Sequence, residues 1–151
     1  MTNLTIIFVC TGNTCRSPMA AVLMGIELDK RGVRDIIIEN AGLSAYGEPA
    51  SPNAISVIAE LDEKSAEALE SHISQNLTAE QIMNADILAV MSPAHAAEVI
   101  RRGADPKKVY ILSAKKESGI TDPFGGNIDT YRETRNRLTE AVNSLADEIF
   151  N

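Results

Sequence analysis

A thiol and a guanidinium stand at the two ends of a short polar segment near the start of the chain, residues 10–16 (CTGNTCR). Cys10 opens this segment and Arg16 closes it, with five residues between them. Successive backbone N–H groups around such a loop can cradle an anion, and an arginine adds a two-pronged contact to phosphate oxygens. A cysteine in that field loses its proton more readily than an ordinary thiol and becomes a nucleophile. These residue types in this order predict phosphoryl transfer through a phosphocysteine intermediate.

The segments on either side of the loop would position it. An apolar run at residues 4–9 predicts a buried parallel strand, and an amphipathic pattern at residues 18–30 predicts a helix. Ser17 is expected at the N-cap of that helix and Pro18 at its first position, with Gly32 beyond its end. The loop would therefore lie at a helix N-terminus, whose free N–H groups and partial positive charge favour an anion.

The composition excludes several classes of function. The chain has 151 residues and a net charge of −7, and its 44% hydrophobic and 23% charged content is typical of one globular domain, residues 1–151. The negative charge argues against nucleic acid or an anionic membrane as a partner, since either would need a basic face. The absence of a membrane-spanning run or a secretory signal pattern leads us to expect a cytoplasmic protein.

The cysteines and histidines do not form a recognisable metal or disulfide pattern. The two cysteines, Cys10 and Cys15, lie in the same loop, which is not a disulfide framework. The two histidines, His72 and His95, are isolated from each other and from other clustered ligands. We therefore predict neither a metal site nor a cofactor.

The rest of the chain alternates strand and helix patterns. Further strands are predicted at residues 35–40, 86–91 and 109–112. Helices are predicted after Ser51-Pro52, in part of 63–76, from a capping box at 78–81, at 92–102 and at 128–149. Loops are predicted at 41–52 and 114–127. This alternation predicts an α/β protein with a parallel sheet covered by helices on both faces. Ligands bind such sheets beyond the carboxyl ends of the strands, where the thiol loop follows the first strand.

The motif CxGNxCRSP at the N-terminus resembles the signature of the low-molecular-weight protein tyrosine phosphatases, and every fixed position of that signature is present in residues 10–18. The resemblance covers nearly the whole chain. It implies a flavodoxin-like fold of three layers, with a four-stranded parallel sheet in the order 2-1-3-4. It also implies that the substrate or its phosphate is bound by Thr11, Gly12, Asn13, Thr14, Cys15 and Ser17, with Cys10 and Arg16 as catalytic residues.

The same family places its general acid in an Asp-Pro pair before the last helix, a role that we carry onto Asp122. Ser17 can donate a hydrogen bond to the Cys10 sulfur, and Asn13 and His72 resemble residues that brace the phosphate loop. For His72, a half-buried structural histidine is the alternative. The family commonly has a serine in that network where this chain has Asn40. For this reason we leave Asn40 outside the predicted site.

Two positions bear on which phosphorylated group is the substrate. Phosphotyrosine enzymes of the family often follow the acid with two aromatic residues, whereas this chain has Phe124-Gly125 and would lack one wall of the slot. Thr14 stands where a bulky aliphatic residue is common, and its hydroxyl suits a planar, polar guanidinium. Together these features resemble the bacterial protein arginine phosphatases, a branch of the same family. We therefore predict a phosphoarginine phosphatase of phosphorylated proteins, with phosphotyrosine as the alternative and a monomer as the expected state.

Other interpretations of the same loop are weaker. A phosphate-dependent binding module would not need a placed acid such as Asp122, and a flavin carrier would not need a thiol and an arginine in its loop. The arsenate reductases that share the Cys-x5-Arg motif need further cysteines, and none follows Cys15. Cys15 is either a small buried hydrophobic residue or a partner for a reversible disulfide with an oxidised Cys10, which would make the enzyme redox-sensitive.

Overall fold

Four parallel strands form the centre of the protein in a computed structural model that describes residues 3–113 and 119–150. The strands are β1 (Leu4–Cys10), β2 (Ile36–Gly42), β3 (Ile87–Val90) and β4 (Val109–Ile111). Their order across the sheet is β2-β1-β3-β4, which confirms the predicted order 2-1-3-4. After β1 the chain moves to one side for β2 and then returns to the other side for β3. The thiol loop at the end of β1 therefore lies where the strand order reverses, the usual ligand position in such sheets.

Six helices cover this sheet in the described part of the chain. They are α1 (Arg16–Arg31), α2 (Pro52–Ala59), α3 (Glu63–Glu70), α4 (Ala79–Asn84), α5 (Pro93–Arg101) and α6 (Ile128–Phe150), with a short 3₁₀ turn at Pro106–Lys108. Local signals set several of these ends. The predicted capping box of Thr78 and Gln81 opens α4, and Gly32 ends α1 with a left-handed backbone (φ 67°).

The alternation of side chains along β1 separates two hydrophobic cores. Ile6 and Phe8 face the core formed with α1, α2, α3 and α6, whereas Ile7 and Val9 face the core formed with α4 and α5. All four side chains are at most 1% exposed. A strand that is buried on both faces has a nearly continuous run of apolar residues, and residues 4–9 have this pattern, which is why the sequence predicted a strand there. The predicted three-layer flavodoxin-like architecture is confirmed.

The structure corrects the predicted start of α1. Cys15, not Ser17, occupies the N-cap position, and no side chain caps this end. Arg16 and Ser17 lie within the first helical turn. The Ser17 hydroxyl contacts the Cys10 sulfur at 2.9 Å instead of a helix amide. The first turn therefore presents both side chains to the loop.

The second strand also extends beyond the predicted end at residue 40. Gly42 pairs with Cys10, and the Leu43 N–H donates to the Cys10 carbonyl at 2.9 Å. These contacts hold the segment after β2 against the thiol loop. A Cβ at Gly42 would lie 2.7 Å from the Thr11 carbonyl oxygen, so this close approach requires a glycine.

Part of the predicted loop at residues 114–127 falls on 114–118, which lie outside the described residues. Residues 119–127 form turns and irregular backbone that lead into α6, as expected. The single-domain interpretation of residues 1–151 stays a prediction. Among the helices described, none combines the length and apolar character needed to cross a membrane.

Candidate active site

A cavity of about 240 Å³ opens above the thiol loop at the carboxyl edge of the sheet. Its lining brings together most of the predicted site residues and three others: residues 10–16, Asp122 and Phe124, with Ser44, Tyr46 and Glu48 from the segment after β2. Ser17 and His72 lie behind this surface and contact the loop from within the protein. Residues far apart in the sequence thus meet around one thiol.

The thiol of Cys10 has a fixed hydrogen-bond environment. Its sulfur lies 2.9 Å from Ser17 Oγ, and the Asn13 N–H donates to it at 3.3 Å. Ser17 is fully buried, and its Oγ accepts a hydrogen bond from Asn13 Nδ2 at 2.8 Å. Because Ser17 Oγ accepts from Asn13, its own hydrogen is left for an acceptor, and the Cys10 sulfur is closer than the Ala41 carbonyl at 3.5 Å. This arrangement stabilises negative charge on the sulfur.

Asn13 organises the loop around this thiol. Its backbone is left-handed (φ 60°), a conformation that asparagine tolerates better than most residues. Its side chain is 1% exposed and makes three hydrogen bonds: Nδ2 donates to Ser17 and to Asn40 Oδ1 (2.7 Å), and Oδ1 accepts from the Gln75 N–H (3.0 Å). The side chain therefore ties the loop to α1, to β2 and to the segment before α4.

His72 and Asn40 complete this bracing network. His72 Nε2 lies 2.7 Å from the Asn13 carbonyl oxygen and, because a carbonyl only accepts, His72 is the donor. Asn40 lies in β2 and accepts from Asn13, so leaving it outside the predicted site was wrong. Asparagine offers a longer side chain than serine, and its amide oxygen reaches the loop from the strand. The bracing geometry suggested for Asn13 and His72 is present.

The backbone N–H groups of the loop point to an anion site. Within residues 3–113 and 119–150, the N–H groups of Thr11, Gly12, Thr14 and Cys15 donate to no other protein group. Such amides need an acceptor, and they precede the positive end of the α1 dipole. A phosphoryl group would satisfy several of them at once.

Arg16 closes the loop opposite the cysteine. Its side chain is 8% exposed, and Nη1 donates to the Ile120 carbonyl at 2.9 Å. Nη2 lies 3.6 Å from Asp122 Oδ2, a long ion pair. One nitrogen thus anchors the guanidinium to the loop before α6, while the other faces the predicted acid.

Asp122 stands at the mouth of the cavity with a half-exposed side chain (49%). Its Oδ1 accepts a hydrogen bond from the Phe124 N–H at 3.1 Å, which fixes the carboxylate within its own turn. Phe124 is 77% exposed and lines the same cavity. The geometry leaves Oδ2 directed toward Arg16 and the space above the loop.

The buried Cys15 sulfur contacts two hydroxyl groups. It lies 2.9 Å from Ser51 Oγ and 3.4 Å from Tyr131 Oη. Burial, and then the contact with Cys15, raises the pKa of Tyr131 to about 12, so this hydroxyl keeps its proton. Ser51 occupies the N-cap position of α2, as predicted, but its side chain caps no helix amide and contacts this sulfur instead. Thr14 Oγ1 is 3.6 Å from the same sulfur.

Sequence reasoning also missed His95 and Tyr46. His95, in the first turn of α5, places Nε2 at 2.8 Å from Thr11 Oγ1. Burial, and then the charge of Arg16, lowers the pKa of His95 to about 4, so the ring is neutral at ordinary pH. Tyr46 is 80% exposed, lines the cavity and accepts a hydrogen bond from the Ser44 hydroxyl at 3.2 Å. An aromatic residue beside Gly47 in a predicted loop was the sequence signal for Tyr46, and an isolated histidine gave none for His95.

Among residues 3–113 and 119–150, no group of three or more histidine, cysteine, aspartate or glutamate side chains is placed to hold a metal ion. The site itself consists of a buried thiol, a guanidinium and a carboxylate around an amide-lined cavity.

Comparisons with known proteins identify a family and several relatives of this chain. Residues 5–151 match the family described as low molecular weight phosphotyrosine protein phosphatase. Protein-arginine-phosphatases of Bacillus subtilis and Geobacillus stearothermophilus are 34% and 37% identical over 149 residues, 95% of each chain. The low molecular weight protein-tyrosine-phosphatase PtpB of Staphylococcus haemolyticus is 33% identical over 147 residues, 93% of this chain and 96% of that protein.

A solved structure has the same fold. It is the arginine phosphatase YwlE, in a variant in which serine replaces a cysteine and the active-site serine is phosphorylated. Its TM-score is 0.84 at 33% identity, and the match covers 97% of this chain and 95% of that one. The extent of these matches and the shared fold lead to one conclusion: the chain belongs to the low molecular weight phosphotyrosine protein phosphatase family.

Proposed function

We propose that this phosphatase hydrolyses phosphorylated arginine side chains of proteins, with Cys10 as nucleophile, Arg16 as the phosphate-binding cation and Asp122 as general acid and base. One observation carries the catalytic assignment. The Cys10 sulfur lies at the base of the cavity and accepts a hydrogen bond from the Ser17 hydroxyl at 2.9 Å. Arg16 and Asp122 lie at the mouth of the same cavity, with Nη2 and Oδ2 3.6 Å apart. Nucleophile, cation and acid therefore surround the same space.

The first chemical step forms a phosphocysteine. The Cys10 thiolate attacks phosphorus, the bond from phosphorus to the leaving atom breaks, and a protonated Asp122 gives its hydrogen to that atom. Arg16 and the free loop amides hold the phosphoryl oxygens as negative charge redistributes among them. The phosphoryl group replaces Asp122 as the partner of Arg16, which releases the carboxyl group toward the leaving atom.

The second step regenerates the enzyme. A water molecule attacks phosphorus, Asp122 accepts its proton, and the bond between sulfur and phosphorus breaks. The Ser17 hydroxyl stabilises the departing thiolate, because its hydrogen already points to the sulfur. Inorganic phosphate then leaves the loop.

The residue at position 14 and the comparisons support phosphoarginine as the substrate. Thr14 lines the cavity and presents a hydroxyl where an isoleucine would present only methyl groups. A guanidinium has N–H groups that can donate hydrogen bonds to the Thr14 hydroxyl and the Asp122 carboxylate, whereas a phenyl ring has no such donors. The two arginine phosphatases described above match along 95% of the chain.

Phosphotyrosine is the second candidate, and the aromatic residues favour it. Tyr46 and Phe124 both line the cavity, so a second aromatic wall comes from the segment after β2 rather than from the residue after Phe124. Two aromatic faces suit a phenyl ring by stacking, although they also suit a flat guanidinium. The tyrosine phosphatase relative is 33% identical, close to the arginine phosphatases.

The wider setting of the enzyme is proposed from its charge and sequence pattern. A net charge of −7 argues against nucleic acid or anionic membranes as partners, so the attraction for a phosphoryl group must be local to the loop. We propose a monomer that acts in the cytoplasm without a cofactor. Size-exclusion chromatography with light scattering would contradict the monomer if it gave twice the mass of one chain.

Turnover of para-nitrophenyl phosphate tests the catalytic assignment. Cys10→Ser is expected to abolish turnover, because a hydroxyl at this position is a far weaker nucleophile. Asp122→Asn is expected to lower kcat by about 100-fold or more for a substrate with a poor leaving group and by less for para-nitrophenyl phosphate. Asp147→Asn, which changes a 58% exposed carboxylate near the far end of α6, is the matched control and should leave kcat unchanged. Equal losses in the two aspartate variants would contradict the acid role.

The substrate is tested by measuring kcat/KM for phosphoarginine and phosphotyrosine peptides of one sequence. The wild-type chain is expected to prefer phosphoarginine. Thr14→Ile is expected to shift the ratio toward phosphotyrosine by about 10-fold or more, because an aliphatic side chain removes the polar partner of the guanidinium. An unchanged ratio would remove Thr14 from the argument, and a wild-type preference for phosphotyrosine would overturn the proposed substrate.

A further inference from the structure

The contact between His95 and Thr11 joins the active-site loop to α5. Thr11 follows the nucleophile directly and lines the cavity, and the two residues are 84 positions apart in the sequence. His95 is 8% exposed, and its backbone N–H donates to the capping Ser92 hydroxyl at 3.1 Å. The ring is therefore held by the start of α5, and its Nε2 is the one described partner of the Thr11 hydroxyl.

The other ring nitrogen identifies the hydrogen-bond direction. His95 Nδ1 is buried and has no hydrogen-bond partner among the described residues. A neutral imidazole carries one hydrogen, and a buried N–H without an acceptor is rarer in proteins than an acceptor that lacks a donor. The hydrogen is therefore assigned to Nε2, which donates to Thr11 Oγ1. The lowered pKa of His95 agrees with a neutral ring.

We propose that His95 is a positioning residue that makes the Thr11 hydroxyl a hydrogen-bond donor to the bound phosphoryl group. Since Thr11 Oγ1 accepts from the ring, its own hydrogen is free to point toward the cavity. The Thr11 hydroxyl then becomes a further hydrogen-bond donor to the phosphoryl group, beside Arg16 and the loop amides. The inference rests on the proposed function, because it requires a phosphoryl group in the loop.

Phosphate affinity and a double-mutant cycle test this role. The probe is inorganic phosphate, measured as a competitive inhibitor of para-nitrophenyl phosphate turnover, for the wild type, Thr11→Val, His95→Leu and the double variant. Each single change is expected to raise the Ki of phosphate by about 10-fold, the typical effect of losing one hydrogen bond to a charged group. The double variant is expected to match the single ones, because both remove the same donor.

His95→Gln is the conservative comparison. Its amide nitrogen can occupy the place of Nε2 and donate to Thr11, so it is expected to recover most of the phosphate affinity that His95→Leu loses. A residue that only supports the fold would change the unfolding midpoint while leaving the Ki of phosphate unchanged. In addition, the ¹⁵N shifts of the His95 ring in the wild type are expected to show hydrogen on Nε2.

Three results would overturn the inference: a wild-type Ki in His95→Leu, additive effects in the double variant, or hydrogen on Nδ1 in the NMR spectrum. If His95→Leu does not fold, the Ki of Thr11→Val and the ring spectrum of the wild type still decide the question. Should the wild type neither bind phosphate nor hydrolyse para-nitrophenyl phosphate, the proposed function itself fails. An active wild type with unaffected variants refutes the role of His95 alone.

Discussion

Replacing Asn13 tests whether one side chain holds the active-site loop. The change Asn13→Ala removes three hydrogen bonds of 2.7–3.0 Å from a residue that is 1% exposed. At about 1 kcal/mol each, their loss lowers the free energy of unfolding by about 3 kcal/mol. Alanine also tolerates the left-handed backbone of this position (φ 60°) less well, which adds about 1 kcal/mol. The expected total is about 4 kcal/mol.

Urea unfolding measures this change, and Asn13→Gly is the matched control. Glycine loses the same hydrogen bonds but adopts a positive φ freely, so its loss is expected to be smaller than that of alanine by about 1 kcal/mol. Both variants free the Ser17 hydroxyl from its donor and should lower turnover of para-nitrophenyl phosphate. A loss below about 1 kcal/mol in Asn13→Ala, at an unchanged m-value, would refute the claim that this side chain braces the loop.

Further predictions concern other contacts of the loop. Gly42→Ala places a Cβ 2.7 Å from the Thr11 carbonyl oxygen, so it should reduce turnover and lower the free energy of unfolding by about 2 kcal/mol. The control is Gly25→Ala, whose Cβ would have no atom within 4 Å, and it should be neutral or stabilising. Equal urea midpoints for the two variants would contradict this prediction. The folded pKa of His95, about 4, lies below its ordinary 6.5, so the unfolded chain binds this proton first, and stability is lost as pH falls from 6.5 to 4. The free energy of unfolding is expected to change by at most about 1.4 kcal/mol per pH unit in this range, and the urea midpoints of His95→Gln should not show this pH dependence. Parallel curves of urea midpoint against pH for the wild type and the variant would show that His95 contributes nothing to the pH dependence of stability. Cys15→Ser should lose more activity irreversibly to peroxide than the wild type does if Cys15 traps oxidised Cys10 as a disulfide; recovery with a reducing agent that is as complete as in the wild type would exclude the trap.

Much of the fold follows from short-range patterns in the sequence. Residues 4–9 form a buried strand because a run of apolar residues cannot be exposed on either face, and the capping box at Thr78 works because its partner is three residues away. The thiol loop is similarly local, since Cys10 and Arg16 flank one turn of chain between a strand and a helix. These features need only neighbouring residues, which is why sequence reasoning located them.

The contacts that fix the chemistry of the loop depend on tertiary structure. Ser17 and Ser51 both have the pattern of helix caps, yet their hydroxyls contact the sulfurs of Cys10 and Cys15. A serine side chain bonds whichever group packing brings within about 3 Å, and a local pattern contains no information about that group.

Three residues of the site illustrate the same limit. Asn40 reaches Asn13 across 27 positions of sequence, His95 reaches Thr11 across 84, and Tyr46 lines the cavity with Phe124 from a different loop. Each contact exists because parallel strands bring their carboxyl ends, and the loops that follow them, to one edge of the sheet. The sequence by itself determined the nucleophile, the cation and the strand that carries them. Only the packed sheet decided which distant side chains hold them in place.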